Sequence, residues 1–436
     1  MGNLFNKKTI KDVNLAGKRV LLRADYNVPI VAGKITDDYR LRQSLPTIRY
    51  ILDQKPAALF IISHLGRPSG PRDTDCSLKP LARDLGTKLD RWVEFAPDCV
   101  GEIVAKMAAD IPAGGIMLLQ NLRFHPGEEK NDPEFAKQIV QATRADVFVQ
   151  DGFGVVHRAH ASTSAITKLL PSVSGLLLKK EVETIHKVML DPDRPFMAVV
   201  GGAKISDKID VLDKLLDIAD GVAVGGALAN TFLLAEKFAV GQSLVEAEAV
   251  RVARDVLDKA REIERKRNFS FLLPVDVVVA KTAESHAPTR IVDLDSQALA
   301  DIQSYPRPPH HSAYTVGATE KILDIGPISA GRIAGAISLS RTVVWSGTMG
   351  VTETPGLGSA AAPFSHGTLT VTESIIGASN KHANKPFSVV GGGDTVSYVE
   401  SRGLLGDFNH VSTGGSASLE LMAGKKLPGI EALQDK

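Results

Sequence analysis

Arginines and histidines follow several short apolar runs in the first half of this chain, and glycines follow such runs in the second half. The first-half exits carry Asp25 and Asn27, His64 and Arg67, Arg123, and His157, Arg158 and His160; Arg40 follows Asp37 and Asp38 at the start of an expected helix. Guanidinium groups suit phosphate and carboxylate because their donors are planar and paired. Several of them in one crevice repel one another unless an anion fills it, and each charge-assisted hydrogen bond contributes ~1.5–3 kcal/mol. A local acid or a solvated rim accounts for any one arginine. Arginines at successive strand ends favour an anionic ligand.

The second-half exits are Gly201 and Gly202 with Ala203 and Lys204, then Gly225 and Gly226, Gly347, and Gly391, Gly392 and Gly393 followed by Asp394 and Thr395. Glycine lets backbone approach a ligand closely, and amides at a following helix N-terminus face phosphate oxygens. Asp394 offers a carboxylate to Mg²⁺, which prefers oxygen ligands and bridging phosphates. Lys204 and Lys208, four apart, share a helical face if the helix has begun. A tight turn accounts for one glycine pair; repeated glycine exits with lysine and aspartate favour a nucleotide site. No GxxxxGK[ST], CxxC or HExxH occurs. Gly356 to Ala361 imitates a dinucleotide fingerprint but follows no clear strand. The histidines read as hydrogen-bonding groups, not zinc ligands.

The elements that must position these residues are legible in outline. KRVLLRADYNVP, AALFIISHLGRP, GGIMLLQNLRFHPG, ADVFVQDGFGVVHR, PFMAVVGGAK, ADGVAVGGALAN, FSFLLPVDVVVA, RTVVWSGTMG and PFSVVGGGDT each hold a short run ended by Gly or polar residues. Such runs predict strands buried on both faces of parallel sheets. DKIDVLDKLLDIAD and EAEAVRVARDVLDKAREIERKRN predict helices with one apolar stripe. The class is therefore α/β with doubly wound sheets. A helix from about Gly175 to before Pro192 separates two sets of strands and predicts a cleft between two domains. SYPRPPHHSAYT, Pro-rich and aperiodic, reads as a surface loop or insertion.

The 436 residues carry 51 Lys plus Arg against 50 Asp plus Glu, a formal charge of +1 with no global drive toward nucleic acid or membranes. With 44% apolar and 23% charged residues the chain reads as soluble and globular, not disordered. Cys76 and Cys99 are too few for a disulfide framework and predict free thiols in a reducing compartment. No run reaches the ~18 apolar residues of a membrane helix. The N-terminal stretch lacks the apolar core of a signal peptide, and Asn6 breaks the myristoylation pattern, so a cytoplasmic protein is expected.

The chain resembles the phosphoglycerate kinase family from near its start to its end. The segments, in the family's order, are RADYNVP, SHLGRP, NLRFHPGEE, DGFGVVHRAHAS, GGAKISDKI, GGALANTF, LPVDVVVA, LDIGP, VVWSGTMGVTE, GGGDT and HVSTGGSASLELMAGKKLPG. The resemblance implies two Rossmann-like three-layer domains with mostly parallel sheets. A phosphoglycerate-binding domain would span 1–174, an interdomain helix 175–191 and a nucleotide-binding domain 192–419, with the tail 420–436 packing back on the first. It implies substrate contacts at Asp25, Asn27, Arg40, His64, Arg67, Arg123 and Arg158. Nucleotide contacts would fall at Gly202, Ala203, Lys208, Gly226, Leu323, Glu353, Gly392, Gly393, Asp394 and Thr395. Glu353 would hold the ribose hydroxyls and Asp394 the Mg²⁺ that accompanies ADP or ATP; Arg40 and Lys204 would stabilise the phosphoryl group in transit.

The implied reaction is direct in-line transfer from 1,3-bisphosphoglycerate to ADP, giving 3-phosphoglycerate and ATP, after hinge closure about 175–191 in a monomeric enzyme of glycolysis and gluconeogenesis. No nucleic-acid or membrane partner is expected. Departures from the family pattern are Gln120, Gln150, Gly152, Ala227, Ile322, Ser346, Thr348, Thr352, Ser416 and a longer segment near 297–321. They leave open a non-catalytic nucleotide-binding or scaffold member, and the alternating pattern alone would also permit a nicotinamide-dependent dehydrogenase.

Overall fold

The computed structural model describes residues 5–70, 73–295, 314–357, 362–378 and 385–436. Most of the segment near 297–321, with its proline-rich stretch, and residues 358–361 of the apparent fingerprint lie outside them. The chain divides into two compact units. One holds the residues up to Lys187 together with Thr413–Lys436, and the other holds Val188–Ser412.

The first unit is built on a six-stranded parallel sheet. Its strands are β1 (Arg19–Arg23), β4 (Ala58–Ile62), β5 (Val93–Phe95), β6 (Gly115–Leu118), β7 (Val147–Gln150) and β8 (Ser172–Ser174), in the order β5-β6-β4-β1-β7-β8. A short antiparallel pair, β2 (Ile30–Val31) and β3 (Lys34–Ile35), stands apart. Successive residues of a strand face opposite sides, and both sides here are covered. Val20 and Leu22 pack with Leu41, Ile48 and Ile51 of α1 (Tyr39–Asp53) and Leu81 and Leu85 of α2 (Lys79–Leu89). Leu21, Phe60 and Phe148 pack on the other side with Val104 of α3 (Glu102–Asp110) and Phe135 and Ile139 of α4 (Pro133–Thr143). The continuous apolar runs are the direct result. Helix α4 shows why local sequence suffices for its bounds. Asp132 caps it by accepting from the Glu134 amide, Pro133 opens it, and Arg144 closes it in the left-handed region at φ 51.

Helix α5 (Leu176–Leu190) follows, and the division between the units falls within it, after Lys187. The second unit carries β9 (Phe196–Val200), β10 (Gly221–Val224), β11 (Ser270–Leu272), β15 (Thr342–Ser346), β16 (Phe387–Gly391) and β17 (His410–Val411) in a parallel sheet ordered β11-β10-β9-β15-β16-β17. Its helices include α6 (Ile209–Ile218), α7 (Gly226–Ala235), α8 (Val250–Lys266), α9 (Pro327–Ser338), α10 (His366–Ile376) and α11 (Gly393–Ser401). On α8 the buried positions Ala253, Val256, Leu257 and Ala260 repeat at helical spacing.

One expectation fails here. FSFLLPVDVVVA is not a single parallel strand. It breaks around Pro274, which has no amide to donate to a ladder. Its first half is β11. Its second half, β12 (Asp276–Ala280), lies between β13 (Arg290–Asp293) and β14 (Lys321–Ile325) in a separate antiparallel sheet. Val277, Val279, Val292 and Ile322 of that sheet pack with Leu233 of α7.

The chain re-enters the first unit at Thr413, whose amide and hydroxyl donate to buried Glu181 of α5. Helices α12 (Gly415–Met422) and α13 (Pro428–Glu431) follow. The Gln434 amide donates to Ser172 O, the Lys8 amide to Gln434 O, and Lys7 pairs with Asp435 at 2.9 Å. No described helix is long and apolar enough to cross a membrane.

Phe60 is fully buried between β4 and the α3–α4 layer. Phe60→Ala is expected to destabilise the first unit by ~3–5 kcal/mol through lost burial and a residual cavity, read as a shift in its urea unfolding midpoint.

Candidate functional site

The carboxyl ends of β1, β4, β6 and β7 gather the first set of residues, which is where open parallel sheets bind ligands. Asp25 and Asn27 leave β1, His64 leaves β4 and Arg123 leaves β6. Arg40 sits in the first turn of α1, where its Nη1 donates to Asn27 O at 2.8 Å and lies 3.4 Å from Asp25. Asn27 Oδ1 accepts the Gly66 amide at 2.9 Å, and Gly66 O accepts Arg123 Nη1 at 2.7 Å. His64 Nδ1 lies 3.9 Å from Asp25 Oδ1, so Asp25, Asn27, Arg40, His64 and Arg123 belong to one connected group. Arg123 also pairs with Glu129 at 3.1 Å, and burial together with the like charge of Arg158 lowers its pKa. Arg67, next to Gly66, is exposed and makes no ion pair among the described residues. Arg158 is exposed, and its Nε lies 3.1 Å from the His157 ring. Burial and the neighbouring guanidiniums of Arg23, Arg123 and Arg40 hold His64 neutral, well below the ordinary histidine range.

Sequence reasoning missed what lies beneath. Arg23, Glu128, Asp151 and Ser162 are buried at the bases of the same strand exits. The available signal was an arginine closing a buried apolar run, since a wholly buried charge must be paired. Asp151, after β7, accepts the amides of Leu177 and Leu178 at the start of α5. Two departures are explained. Gln120 Oε1 accepts the amides of Leu78 and Asn121, and Gln150 Oε1 accepts the Gly152 amide. Asp98 Oδ1 meets His125 Nε2 at 2.6 Å, and Cys99 Sγ donates to Gln120 O, so this cluster is engaged within the protein.

In the second unit the ends of β9, β10 and β15 meet backbone to backbone. The Gly202 amide donates to Thr348 O, the Gly226 amide to Met349 O and the Leu228 amide to Gly202 O. Gly226 has φ 62, and a Cβ there would stand 2.7 Å from Gly202 N and Thr348 O. A side chain at Gly347 would meet Gly201 backbone at 2.2 Å. No other residue type fits either place. The resulting cavity of ≈ 220 Å³ is lined in part by Gly202, Ala203, Gly226, Leu323, Glu353 and Asp394, together with the departures Ala227, Ile322 and Thr348.

Lys208 ties two of these exits together. Its Nζ donates to Gly201 O at 2.6 Å and to Ser346 O at 2.9 Å. Burial brings its pKa down to about 8 against the pull of Asp394. Thr395 Oγ1 accepts the Gly347 amide at 2.7 Å, Gly392 has φ 92, and Gly393 opens α11 with Asp394 exposed in its first turn. The expected shared helical face of Lys204 and Lys208 does not form, because α6 begins only at Ile209. Lys204 is exposed instead, and its charge helps lower the pKa of Glu246, which accepts the Ile205 and Ser206 amides.

Asp324 is buried beside this cavity and accepts the Gly367 and Ile325 amides. Burial raises its pKa from 3.8 to about 7. A raised folded pKa contributes stability that is complete below 3.8 and is lost as pH rises through about 7. Asp324→Asn is expected to flatten that loss; urea titrations at about pH 5 and about pH 8 should show a larger drop in the parent than in the variant.

Comparison with known proteins agrees with this geometry. The phosphoglycerate kinase family profile matches residues 10–425. Phosphoglycerate kinases from Moorella thermoacetica and Pelotomaculum thermopropionicum are 44% and 43% identical over 430 residues, covering 99% of this chain and 100% of each relative. Among solved structures, phosphoglycerate kinase from Coxiella burnetii matches with TM-score 0.77 at 34% identity, and that from Pyrococcus horikoshii with TM-score 0.78 at 30%. Each match covers 98% of both chains. With two parallel-sheet units, a guanidinium cluster on one and a glycine-walled cavity on the other, the chain belongs to the phosphoglycerate kinase family.

Proposed function

We propose that this chain transfers a phosphoryl group reversibly between 1,3-bisphosphoglycerate and ADP, yielding 3-phosphoglycerate and ATP. The observation that carries the reading is the presence, in one family member, of a cationic group at the strand ends of the first unit and a glycine-lined cavity at those of the second. Asp25, Asn27, Arg40, His64, Arg67, Arg123 and Arg158 bind the phosphoglycerate. Gly202, Ala203, Lys208, Gly226, Leu323, Glu353, Gly392, Gly393, Asp394 and Thr395 bind the nucleotide, with Glu353 accepting from the ribose hydroxyls.

Asp394 fits a magnesium nucleotide. Its exposed carboxylate in the first turn of α11 would hold the ion, an oxygen ligand of the kind that Mg²⁺ prefers. The ion, when bound, supplies positive charge to the phosphate oxygens. Arg40 and Lys204 stabilise the transferring oxygens, with glycine amides completing the set. No side-chain nucleophile takes part, because phosphoryl transfer needs in-line placement, charge dispersal and exclusion of water. Transfer requires the two ligands to meet, and hinge closure supplies that step. The protein acts as a cytoplasmic monomer of glycolysis and gluconeogenesis, a phosphotransferase with a carboxyl acceptor.

A coupled assay for ATP formed from 1,3-bisphosphoglycerate and ADP tests the activity; no turnover would leave the non-catalytic reading standing. Calorimetry with magnesium ADP against NAD separates the kinase from a dehydrogenase. Lys204→Ala is expected to lower kcat on the order of 10²–10³-fold. Arg67→Ala should raise the KM for 3-phosphoglycerate and Asp394→Ala that for magnesium nucleotide; loss of the same ligand in both would refute the assignment of one ligand to each unit.

A further inference from the structure

Arg23 closes β1 with its guanidinium wholly out of water, at 0% exposure. Every nitrogen of it is placed. Nε donates to Ser162 Oγ at 2.9 Å, Nη1 donates to Ala24 O, and Nη2 lies 3.2 Å from His64 Nδ1. Ser162 is fixed in turn, donating from Oγ to Glu128 Oε1 at 2.6 Å and from its amide to Oε2 at 3.0 Å. Glu128 is fully buried, 4.0 Å from Arg23 Nη2 and 3.7 Å from His160 Nδ1. The carboxylate balances the guanidinium from below, and the hydroxyl holds its orientation.

A guanidinium has five N–H donors and no acceptor. A ring nitrogen that hydrogen-bonds to it must therefore accept. In a neutral imidazole whose Nδ1 accepts, the proton sits on Nε2.

We propose that Arg23 is a positioning residue that fixes His64 as the neutral imidazole carrying its proton on Nε2, so that the ring meets its ligand as a donor. Protonating Nδ1 would set its N–H against the N–H of Arg23 and break the bond. The groups facing His64 are the guanidiniums of Arg23, Arg40 and Arg123, the His160 ring and the Asp25 carboxylate, whose Oδ1 is 3.9 Å from Nδ1. Burial and those guanidiniums act in the same direction, holding the ring well below the ordinary value of 6.5. The kinetic part of the inference rests on His64 binding phosphoglycerate as proposed above; the tautomer itself does not.

The test is ¹⁵N–¹H NMR of the histidine rings in the full-length protein, with His64 assigned by loss of its signals in His64→Gln. In the parent His64 should show a proton-free Nδ1 and a protonated Nε2 at pH 7, and should remain neutral well below pH 6.5. A proton on Nδ1, or titration near 6.5, would overturn the proposal whatever the enzyme's activity. In Arg23→Gln the ring should lose its single tautomer and titrate at higher pH. The KM for 3-phosphoglycerate should rise roughly ten- to hundredfold, the range of one charged hydrogen bond, with nucleotide KM unchanged. An unaltered His64 spectrum in that variant would remove Arg23 from the role. Should Arg23→Gln not fold, Ser162→Ala, which removes the acceptor at Arg23 Nε and the hydroxyl donor to Glu128 but leaves the guanidinium in place, should move the spectrum the same way by less; no movement in it likewise defeats the proposal. A parent with the expected spectrum but no turnover would reject the proposed reaction and leave the tautomer assignment intact.

Discussion

Like charges gathered at one sheet edge repel, and the first unit is organised around containing that repulsion. Arg40, Arg123 and Arg158 converge with His64, yet each guanidinium has a fixed contact: Asp25 and Asn27 for Arg40, Gly66 and Glu129 for Arg123, His157 for Arg158. These contacts are partial. Arg40 retains exposed surface and Arg67 has no described ion-pair partner, so the group keeps donors available to an anion. The fully buried member, Arg23, is held from within the protein, by Glu128 at 4.0 Å and by the Ser162 hydroxyl. Burial depth thus divides the arginines into those that support the site and those that present it, and removing either partner of the deep pair would strand a charge at a cost of ~3–5 kcal/mol.

The second unit builds its cavity on close backbone contact. The exits of β9, β10 and β15 meet peptide to peptide, the contact distances at Gly226 and Gly347 leave no space for a Cβ, and the charged residues Lys321, Asp324, Glu353 and Asp394 complete the lining. Lys208 contributes its ammonium mainly to backbone carbonyls, joining two exits that would otherwise be held only by amide contacts.

Much of this was readable from residue order. Runs such as VLLR and LFII predict two-sided burial because parallel strands covered by helices tolerate no polar alternation, and the residues following them are the candidate site residues. The split of FSFLLPVDVVVA was hidden because both halves are apolar; only Pro274 marks the break, and periodicity does not report sheet membership. In the deep layer of Arg23, Glu128, Asp151 and Ser162, only the arginine closing a buried apolar run gave a signal, and its partners gave none. A charged residue in a one-dimensional pattern looks the same whether it is solvated or paired across more than a hundred positions, as Arg23 and Ser162 are. The spacing of Lys204 and Lys208 placed them on one face only if a helix had begun, and α6 starts at Ile209, past both lysines.

The return of the chain at Thr413 has a consequence for biosynthesis. The first unit is assembled from two stretches of sequence between which the whole second unit is encoded. As the polypeptide emerges vectorially from the ribosome, Val188–Ser412 is translated before the acceptor on Glu181 meets Thr413 or Lys7 meets Asp435. The lobe made first is therefore the one completed last, and a translation stop just after Ser412 would leave the second unit whole while depriving the first of its closing contacts.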